Sequence, residues 1–434
     1  MENLKINNFI TLSQVDIEIK RYNVLIGRQS SGKSLIAKLL YFFKSDFPSA
    51  FLSTIKGDEE NSPEDANSAR FKKRLDEKLF QSFLETFNPD YWGSGDFVIE
   101  YTNGDHKIEI RRVKRKIKVS ISKNFRSDFI KLKAAYLEYN RAEEGTPEFM
   151  KGSINWFASQ YFSELRNRRC FPNYMFSPSL YIPAGRGFFA LLEQNIFSFL
   201  SMNSSIDKFI SEFGSFYSNA KRHYVRMDSI RNNGTMRGFH GAVNAIIGGE
   251  FKYKNDAYVI SQKNGIDIKL EGASSGQQEV VPMLISLSAM SRLGQYRRGE
   301  SSLFIEEPEA HLFPRTQKEV IYAIAALHNK LNLTTFITTH SPYVLSSLNN
   351  LVIADIARTK IADGDKEKIS RLDSVIKPYL RIKRGEYSAY SIDNHGRVIS
   401  IINNDGIIGV NNIDDISEDI SNEFDDILNL MISE

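Results

Sequence analysis

"GRQSSGKSLIAKLL" (27–40) is the stretch on which the reading of the fold turns. Two glycines, a lysine and a serine stand as Gly27-x-x-x-x-Gly32-Lys33-Ser34, behind the apolar run "YNVLIG" and ahead of the helical run "SLIAKLLYFF". Strand, glycine loop and helix is the context in which this spacing builds a phosphate-binding loop. The glycines let the backbone curl so that its N–H groups point inward at one anion. The new helix presents its positive end to the same anion. Lys33 has the reach to bridge β- and γ-phosphates, and Ser34 offers a hydroxyl to Mg²⁺. The expected nucleotide-binding set is Gly27, Arg28, Gln29, Ser30, Ser31, Gly32, Lys33, Ser34 and Leu35. The loop indicates a nucleoside triphosphate and leaves open what its hydrolysis drives.

Three features follow the loop in order. "ASSGQQEVVPMLISLSAM", from Ala273, is a polar glycine-containing turn entering a helix. "SSLFIEEPEAHLFP" (301–314) is an apolar strand ending in two carboxylates, and "TTFITTHSPYVL" (334–345) is an apolar strand ending in His340. Ser274 and Glu307 are 33 positions apart, as are Glu307 and His340. Each gap holds one helix and one strand, the requirement of successive parallel βα units. The chemistry is coherent. Hydrolysis of a γ-phosphate needs charge neutralisation, a positioned water and a group that reads the leaving phosphate. Glu306 is the expected holder of Mg²⁺ or its waters, and Glu307 the group that polarises the attacking water. His340 is placed to bond the γ-phosphate and orient that water. Ser274, Ser275 and Gly276 make a second anion-binding helix start. Each feature alone has a plainer reading: a charged turn, a structural histidine, an N-cap. Their occurrence together, in this order, carries the assignment.

Bulk properties set the frame. A chain of 434 residues buries one large core or two smaller ones. Hydrophobic content of 41% and charged content of 25% are those of a globular protein, and a net charge of +3 imposes no global field toward nucleic acid or membrane. One cysteine, Cys170, excludes an internal disulfide framework and fits a reducing compartment. The start, "MENLKINNFITL", lacks a basic-then-apolar signal layout, and no apolar run reaches the length of a membrane span. A cytoplasmic protein without membrane contact is the expectation.

Along the chain, residues 3–26 read as two or three strands and 56–70 as a polar, acidic loop. Helical spacing resumes over 71–87, with Phe71, Leu75, Leu79 and Phe83 on one face. Over 96–122, two β-type runs flank "TNGD", and a third alternates Val113, Ile117, Val119 and Ile121 with basic residues. Six basic residues lie between Arg111 and Lys118, either on a solvated outer sheet face or on a strand facing nucleic acid. Residues 125–240 read as mostly helical, broken by "SLYIPAGRGFF" (179–189), a buried strand and sharp loop. A second basic cluster (Lys221, Arg222, Arg226, Arg231, Arg237) is expected on a solvated helix face. Strands return over 251–270. The tail (401–434) carries nine acidic residues and no basic one, yet Ile416, Ile420, Phe424, Ile427, Leu428 and Met431 suit an amphipathic helix. No heptads or internal repeats occur.

"GRQSSGKS", "ASSGQQE", "LFIEEPEAHLFP" and "ITTHSP" together resemble the Walker A, signature, Walker B/D-loop and H-loop of ABC-type ATPases. The branch they resemble holds SMC, Rad50, RecF and the OLD proteins. With "YIPAGR", the set is similar to ATPases of bacterial anti-phage systems: OLD-like, Septu, PARIS and retron-associated. The resemblance covers residues 1–45, 179–187 and 250–350. It implies an α/β fold: an ABC-type P-loop core of mixed sheet flanked by helices, with a largely helical insert and a small C-terminal α/β extension. The implied segments are 1–70 (core with Walker A), 71–240 (insert), 241–350 (core with signature, Walker B and H-loop) and 351–434 (extension). It also implies ATP and Mg²⁺ as cofactors. A head-to-tail homodimer or larger assembly would close Ser274 of one subunit on the phosphate loop of the other. The chain departs from the pattern at Glu306, where aspartate is usual, at Ala273, where leucine is usual, and at Ser275, where glycine is usual. The Q-loop glutamine has three candidates: Gln160, Gln194 and Gln262. OLD enzymes carry a Toprim nuclease after the H-loop; here Asp363 and Asp365 in "ADGDKEK" read as an exposed charged turn instead. The expectation is a sensor ATPase controlling a separate effector such as a nuclease toxin, triggered by nucleic acid or a phage protein. The alternative is a DNA-repair or DNA-maintenance ATPase similar to RecF or Rad50.

Overall fold

The structure is a computed structural model that describes residues 1–56, 69–141, 177–190, 206–226, 234–293, 296, 301–409 and 422–425. The chain opens with β1 (Glu2–Phe9), β2 (Leu12–Ile19) and β3 (Tyr22–Gly27). Then come α1 (Lys33–Tyr41), a π-helical turn (Phe42–Asp46), α2 (Phe47–Lys56) and α3 (Ala69–Thr86). Strands β4 (Phe97–Asn103), β5 (His106–Val113) and β6 (Lys116–Ile121) precede α4 (Lys123–Arg141) and β7 (Ser179–Ile182). Helices α5 (Lys208–Arg226) and α6 (Gly234–Ile247) lead to β8 (Glu250–Lys254), β9 (Ala257–Ser261) and β10 (Asp267–Lys269). The last third holds α7 (Ser275–Met290), β11 (Ser302–Glu306), α8 (Pro314–Leu331), β12 (Thr334–Thr339) and α9 (Pro342–Lys360), then α10 (Lys366–Val375), β13 (Tyr387–Ile392) and β14 (Val398–Ser400).

The fold is α/β. Its central sheet has the order β14-β13-β3-β12-β11-β7 and is parallel from β13 to β7, with β14 antiparallel at one edge. Parallel strands covered on both faces read as continuous apolar runs, which is how "YNVLIG", "SLFIE" and "TTFITT" appear. Alternation then assigns the faces. Leu25, Tyr181, Phe304 and Phe336 join a core with α1–α4 and the antiparallel sheet β2-β1-β4-β5-β6. Val24, Leu180, Ile305 and Ile337 join a second core with α5–α9. Asn23, in the middle of β3, is fully buried and fully bonded. Its amide donates to the carbonyls of Lys20 and Thr335, and its Oδ1 accepts from Lys20 N and Ser388 Oγ. The register puts Glu306 beside Thr338 and Thr339 beside Ile26. The loops that leave β3, β11 and β12 therefore emerge at one end of the sheet, where open α/β folds hold their ligands.

Several expectations meet the structure directly. Phe71, Leu75, Leu79 and Phe83 are the buried face of α3. The hairpin over 96–122 is β4, β5 and β6, hydrogen-bonded onto β1. In that third run Val119 is buried, but Val113, at the turn, is exposed. Lys221 departs from its expected solvated face. It is buried, with its amine 5.1 Å from the ring centre of Tyr217 and 4.5 Å from that of Tyr258. Arg231 lies outside the described residues, as do Cys170 and all of the tail stripe but Phe424, which is exposed. Asp365 caps α10 and Asp363 pairs with Arg358 at 2.7 Å, so both serve local structure. No described helix is long and apolar enough to cross a membrane.

Candidate nucleotide-binding and hydrolysis site

The loop between β3 and α1 is shaped by glycine where the backbone requires it. Gly32 has φ 104°, a conformation side chains rarely adopt, and a Cβ there would stand 2.6 Å from Leu12 Cδ2. A Cβ at Gly27 would stand 2.8 Å from Ser31 Oγ and 3.3 Å from Ile392 Cβ, so the loop is backed by β13. Arg28 donates to Asn394 Oδ1 (3.4 Å) in the turn after β13. Gln29 and Ser30 are exposed, and Leu35 packs on the core beneath.

Lys33 is buried, and its amine donates to the carbonyls of Gly27 (2.7 Å) and Arg28 (2.9 Å). Its third neighbour is His340 Nδ1, at 3.4 Å. On the far side of that ring, His340 Nε2 lies 3.1 Å from Glu307 Oε1. An ammonium only donates and a carboxylate only accepts. The two contacts are both satisfied by a neutral ring with its proton on Nε2. Burial pushes the Lys33 amine down to about 8, opposed by the charges of Glu307, Glu309 and Glu306.

The two strand-tip carboxylates part company. Glu306 is buried and turned along the sheet. Tyr181 OH donates to its Oε1, and the Ala184 N–H to its Oε2 (3.0 Å). Glu307 points into the open end, with 34% of its side chain exposed, like that of His340. Its backbone sits at φ 42°. Its N–H donates to the Thr338 carbonyl (2.9 Å). No hydrogen bond joins Glu306 to Ser34.

Ser274 caps α7 by a capping box with Gln277. The start of α7 lies against the turn after Glu307: a Cβ at Gly276 would stand 2.8 Å from the His311 carbonyl oxygen. Ser275 is the first residue of the helix. Within one chain, no hydrogen bond joins 274–276 to 27–35. Of the glutamine candidates, Gln262 sits in the turn between β9 and β10 (its N–H donates to Ile266 O, 2.9 Å). Gln160 and Gln194 lie outside the described residues.

The donor set fits a nucleoside triphosphate with Mg²⁺. Ser31 Oγ, inside the loop, and Thr338 Oγ1, beside Glu306 in the register, are buried without a hydrogen-bond partner. Buried orphan hydroxyls at the mouth of a phosphate loop suit a ligand rich in acceptors.

A family model described as an AAA ATPase domain matches residues 101–345, more than half of the chain. The chain belongs to the AAA ATPase domain family. No curated protein matches it. Among solved structures it is similar to the SMC head domain from Thermotoga maritima (13% identity, TM-score 0.36, covering 92% of this chain and 98% of that one). It is also similar to the Smc head domain with an extended coiled coil derived from Pyrococcus furiosus (14% identity, TM-score 0.35, 92% and 96%). A third is an ATP-binding cassette of an ABC transporter in its ADP conformation (11% identity, TM-score 0.30, 92% and 90%).

Three residues of this AAA ATPase domain lie within the quoted motif stretches and bear on the site, although the sequence reading gave none of them a role. Glu309 is buried, and its Oε1 accepts from Thr339 Oγ1 (2.6 Å) and the His340 N–H (2.8 Å), fixing the backbone that carries the imidazole. Arg186 and Glu279 form a buried pair behind Glu307. A signal for Glu279 does exist: it is a lone carboxylate at the head of the apolar run "VVPMLISL".

Proposed function

We propose that this ATPase domain binds ATP with Mg²⁺ at residues 27–35 and hydrolyses it with Glu307 as the group that activates water. The single observation that supports this most is the chain of contacts Lys33–His340–Glu307 at the carboxyl end of the parallel sheet. An incoming γ-phosphate would take the place of the Gly27 and Arg28 carbonyls as the partner of Lys33. His340 would turn its Nε2 proton to a phosphate oxygen, freeing Glu307 to accept a hydrogen bond from water. Mg²⁺, held through Ser34 and Glu306, would supply charge neutralisation on the phosphates.

We further propose the head-to-tail dimer, with Ser274, Ser275 and Gly276 of one copy reaching the phosphate loop of the other. The exposure of Ser274 and Ser275 at the start of α7, unengaged with their own loop, favours this. On this reading the ATP-bound dimer is a sensor in anti-phage defence that restrains or releases a separate effector. The four-segment division at 70, 240 and 350 goes with it, though β7 and β13, from the insert and the extension, both lie in the central sheet. A DNA-maintenance role is the second reading. It is favoured by Lys114, Arg115, Lys116 and Lys118, all exposed along the edge strand β6 and its turn.

The test is Glu307→Gln, which keeps size and loses charge. Turnover should fall roughly 10²–10⁴-fold, the usual worth of a positioned acid–base group, while ATP still binds. Parent turnover in this variant would remove Glu307 from the chemistry. Loss of turnover in Glu306→Gln alone would instead reverse the roles of the two carboxylates.

A further inference from the structure

Arg186 is the largest side chain that the described fold buries completely. It follows β7 in "YIPAGR", and all three of its guanidinium nitrogens donate. Nη1 donates to the carbonyls of Pro183 (2.9 Å) and Glu306 (2.7 Å), and Nη2 donates to the carbonyl of Glu307 (2.9 Å). Nε donates to the backbone carbonyl of Glu279 (3.1 Å) and lies 3.5 Å from its Oε2. The Glu279 carboxylate is bonded from the other side too, accepting from the Arg186 N–H (2.9 Å) and the Gly187 N–H (2.8 Å). A Cβ at Gly187 would stand 3.1 Å from Glu279 Oε1, so the carboxylate is seated closely.

A fully buried cation demands a counter-charge and a complete set of acceptors, and a hydrophobic residue of similar size would fill the same space at less cost. Retaining it needs a geometric reason. The planar fork of Arg spans separate carbonyls at fixed angles, which a lysine cannot do. Two of the carbonyls it spans are those of Glu306 and Glu307. Glu307 stands at φ 42°, a conformation that persists only where its surroundings over-determine it. With its N–H held by Thr338 and its carbonyl by Arg186, both of its backbone polar groups are fixed. Glu279 belongs to α7, one turn after the exposed start at Ser274.

We propose that the Arg186–Glu279 pair is a positioning latch: it holds the backbone of Glu307 so that the carboxylate faces water, and it ties that geometry to the start of α7. The latch deepens the reading of Glu307 given above and rests on it. When a second copy's nucleotide engages the start of α7, the displacement reaches Glu307 through Glu279 and Arg186, without either residue touching substrate.

The experiment compares Arg186→Lys, Glu279→Gln and Glu307→Gln, alone and combined, by thermal melting, ATP binding and steady-state hydrolysis. Arg186→Lys and Glu279→Gln should bind ATP within about threefold of the parent and keep KM, while kcat drops at least tenfold. A pair that served only stability would lower the melting temperature and leave kcat per folded molecule unchanged, which overturns the latch. Because the pair acts through Glu307, Arg186→Lys placed on Glu307→Gln should lower turnover no further. A further tenfold drop there overturns it as well. Should Arg186→Lys fail to melt cooperatively, Glu279→Gln decides by the same readings. Parent turnover in Glu307→Gln alone is a different failure, that of the hydrolysis reading itself.

Discussion

Lys33 shows at the scale of one residue how burial and charge oppose each other. Its amine sits among two carbonyls and an imidazole, and burial lowers it to about 8 against the pull of three glutamates. Below that value the amine is charged and attracts phosphate; above it the neutral amine does not. ATP bound to Mg²⁺ is fully ionised across this range, so the change belongs to the protein. Near pH 9 about a tenth of the free protein carries the charge, so ATP affinity should fall roughly tenfold between pH 7 and 9. Calorimetry at pH 8.5–9 should also register proton uptake on binding, since the phosphates restore the charged amine. Lys33→Arg should flatten the profile, because guanidinium stays charged. Lys33→Ala should lose at least tenfold in affinity at pH 7, about 1.4 kcal/mol. An affinity constant from pH 7 to 9.5 in the parent would count against Lys33 as the phosphate ligand.

Among elements, the start of α7 is the one that the proposed dimer would bring to the phosphate loop of a second copy. Gly276 meets the His311 carbonyl so closely that a methyl group cannot be added without moving backbone. Gly276→Ala should therefore destabilise by about 1–3 kcal/mol, as overpacking does, and lower turnover with it. Gly272, where an added Cβ would meet nothing within 4 Å, is the matched control: Gly272→Ala should melt and turn over like the parent. If both variants behave alike, the contact with the His311 turn is unimportant. This contact was not legible in the sequence, for a physical reason. Gly27, Glu306, Glu307 and His340 each stand at the close of an apolar run, and Gly32 stands at a fixed spacing from Gly27, so local pattern exposes them. Arg186 and Glu279 are 93 positions apart, and Arg186 reaches carbonyls 120 and 121 positions away. Those partners are backbone atoms, which leave no residue-type signature. The same holds for sheet order, since β7 and β13 join the central sheet from distant segments with no local mark of it. The run "SLIAKLLYFF" was legible as helix, but the π turn that follows α1 was not. There Phe42 packs on Phe83 (5.5 Å) and Phe43 stacks on Tyr101 (4.8 Å), so tertiary packing accompanies the local widening of the helix.

For the whole molecule, the decisive question is whether one chain holds a complete site. Within a chain, Ser274–Gly276 rest against the His311 turn, and the phosphate loop carries its own partners; the two are not bonded to each other. If catalysis needs both, two copies related by a twofold axis make two equivalent sites, each with a loop from one copy and a helix start from the other. That symmetry gives a quantitative prediction. Lys33→Ala spoils the loop, and Ser274→Arg spoils the helix start by placing a bulky cation where a small hydroxyl faces the phosphate. Each variant alone should be inactive, because every site in its dimer carries the lesion. In an equal mixture half of the dimers are mixed, and each mixed dimer has one site with no lesion and one with both. With independent sites, turnover should return to about a quarter of the parent value. It should do so on the timescale of subunit exchange and grow with protein concentration. Adding Glu307→Gln to the Ser274→Arg chain, which supplies the intact loop and its water-activating carboxylate, should abolish the recovery. Adding it to the Lys33→Ala chain should leave the recovery in place. A mixture that does no better than its two components measured apart would mean that each chain works alone, and the head-to-tail dimer would have to be given up.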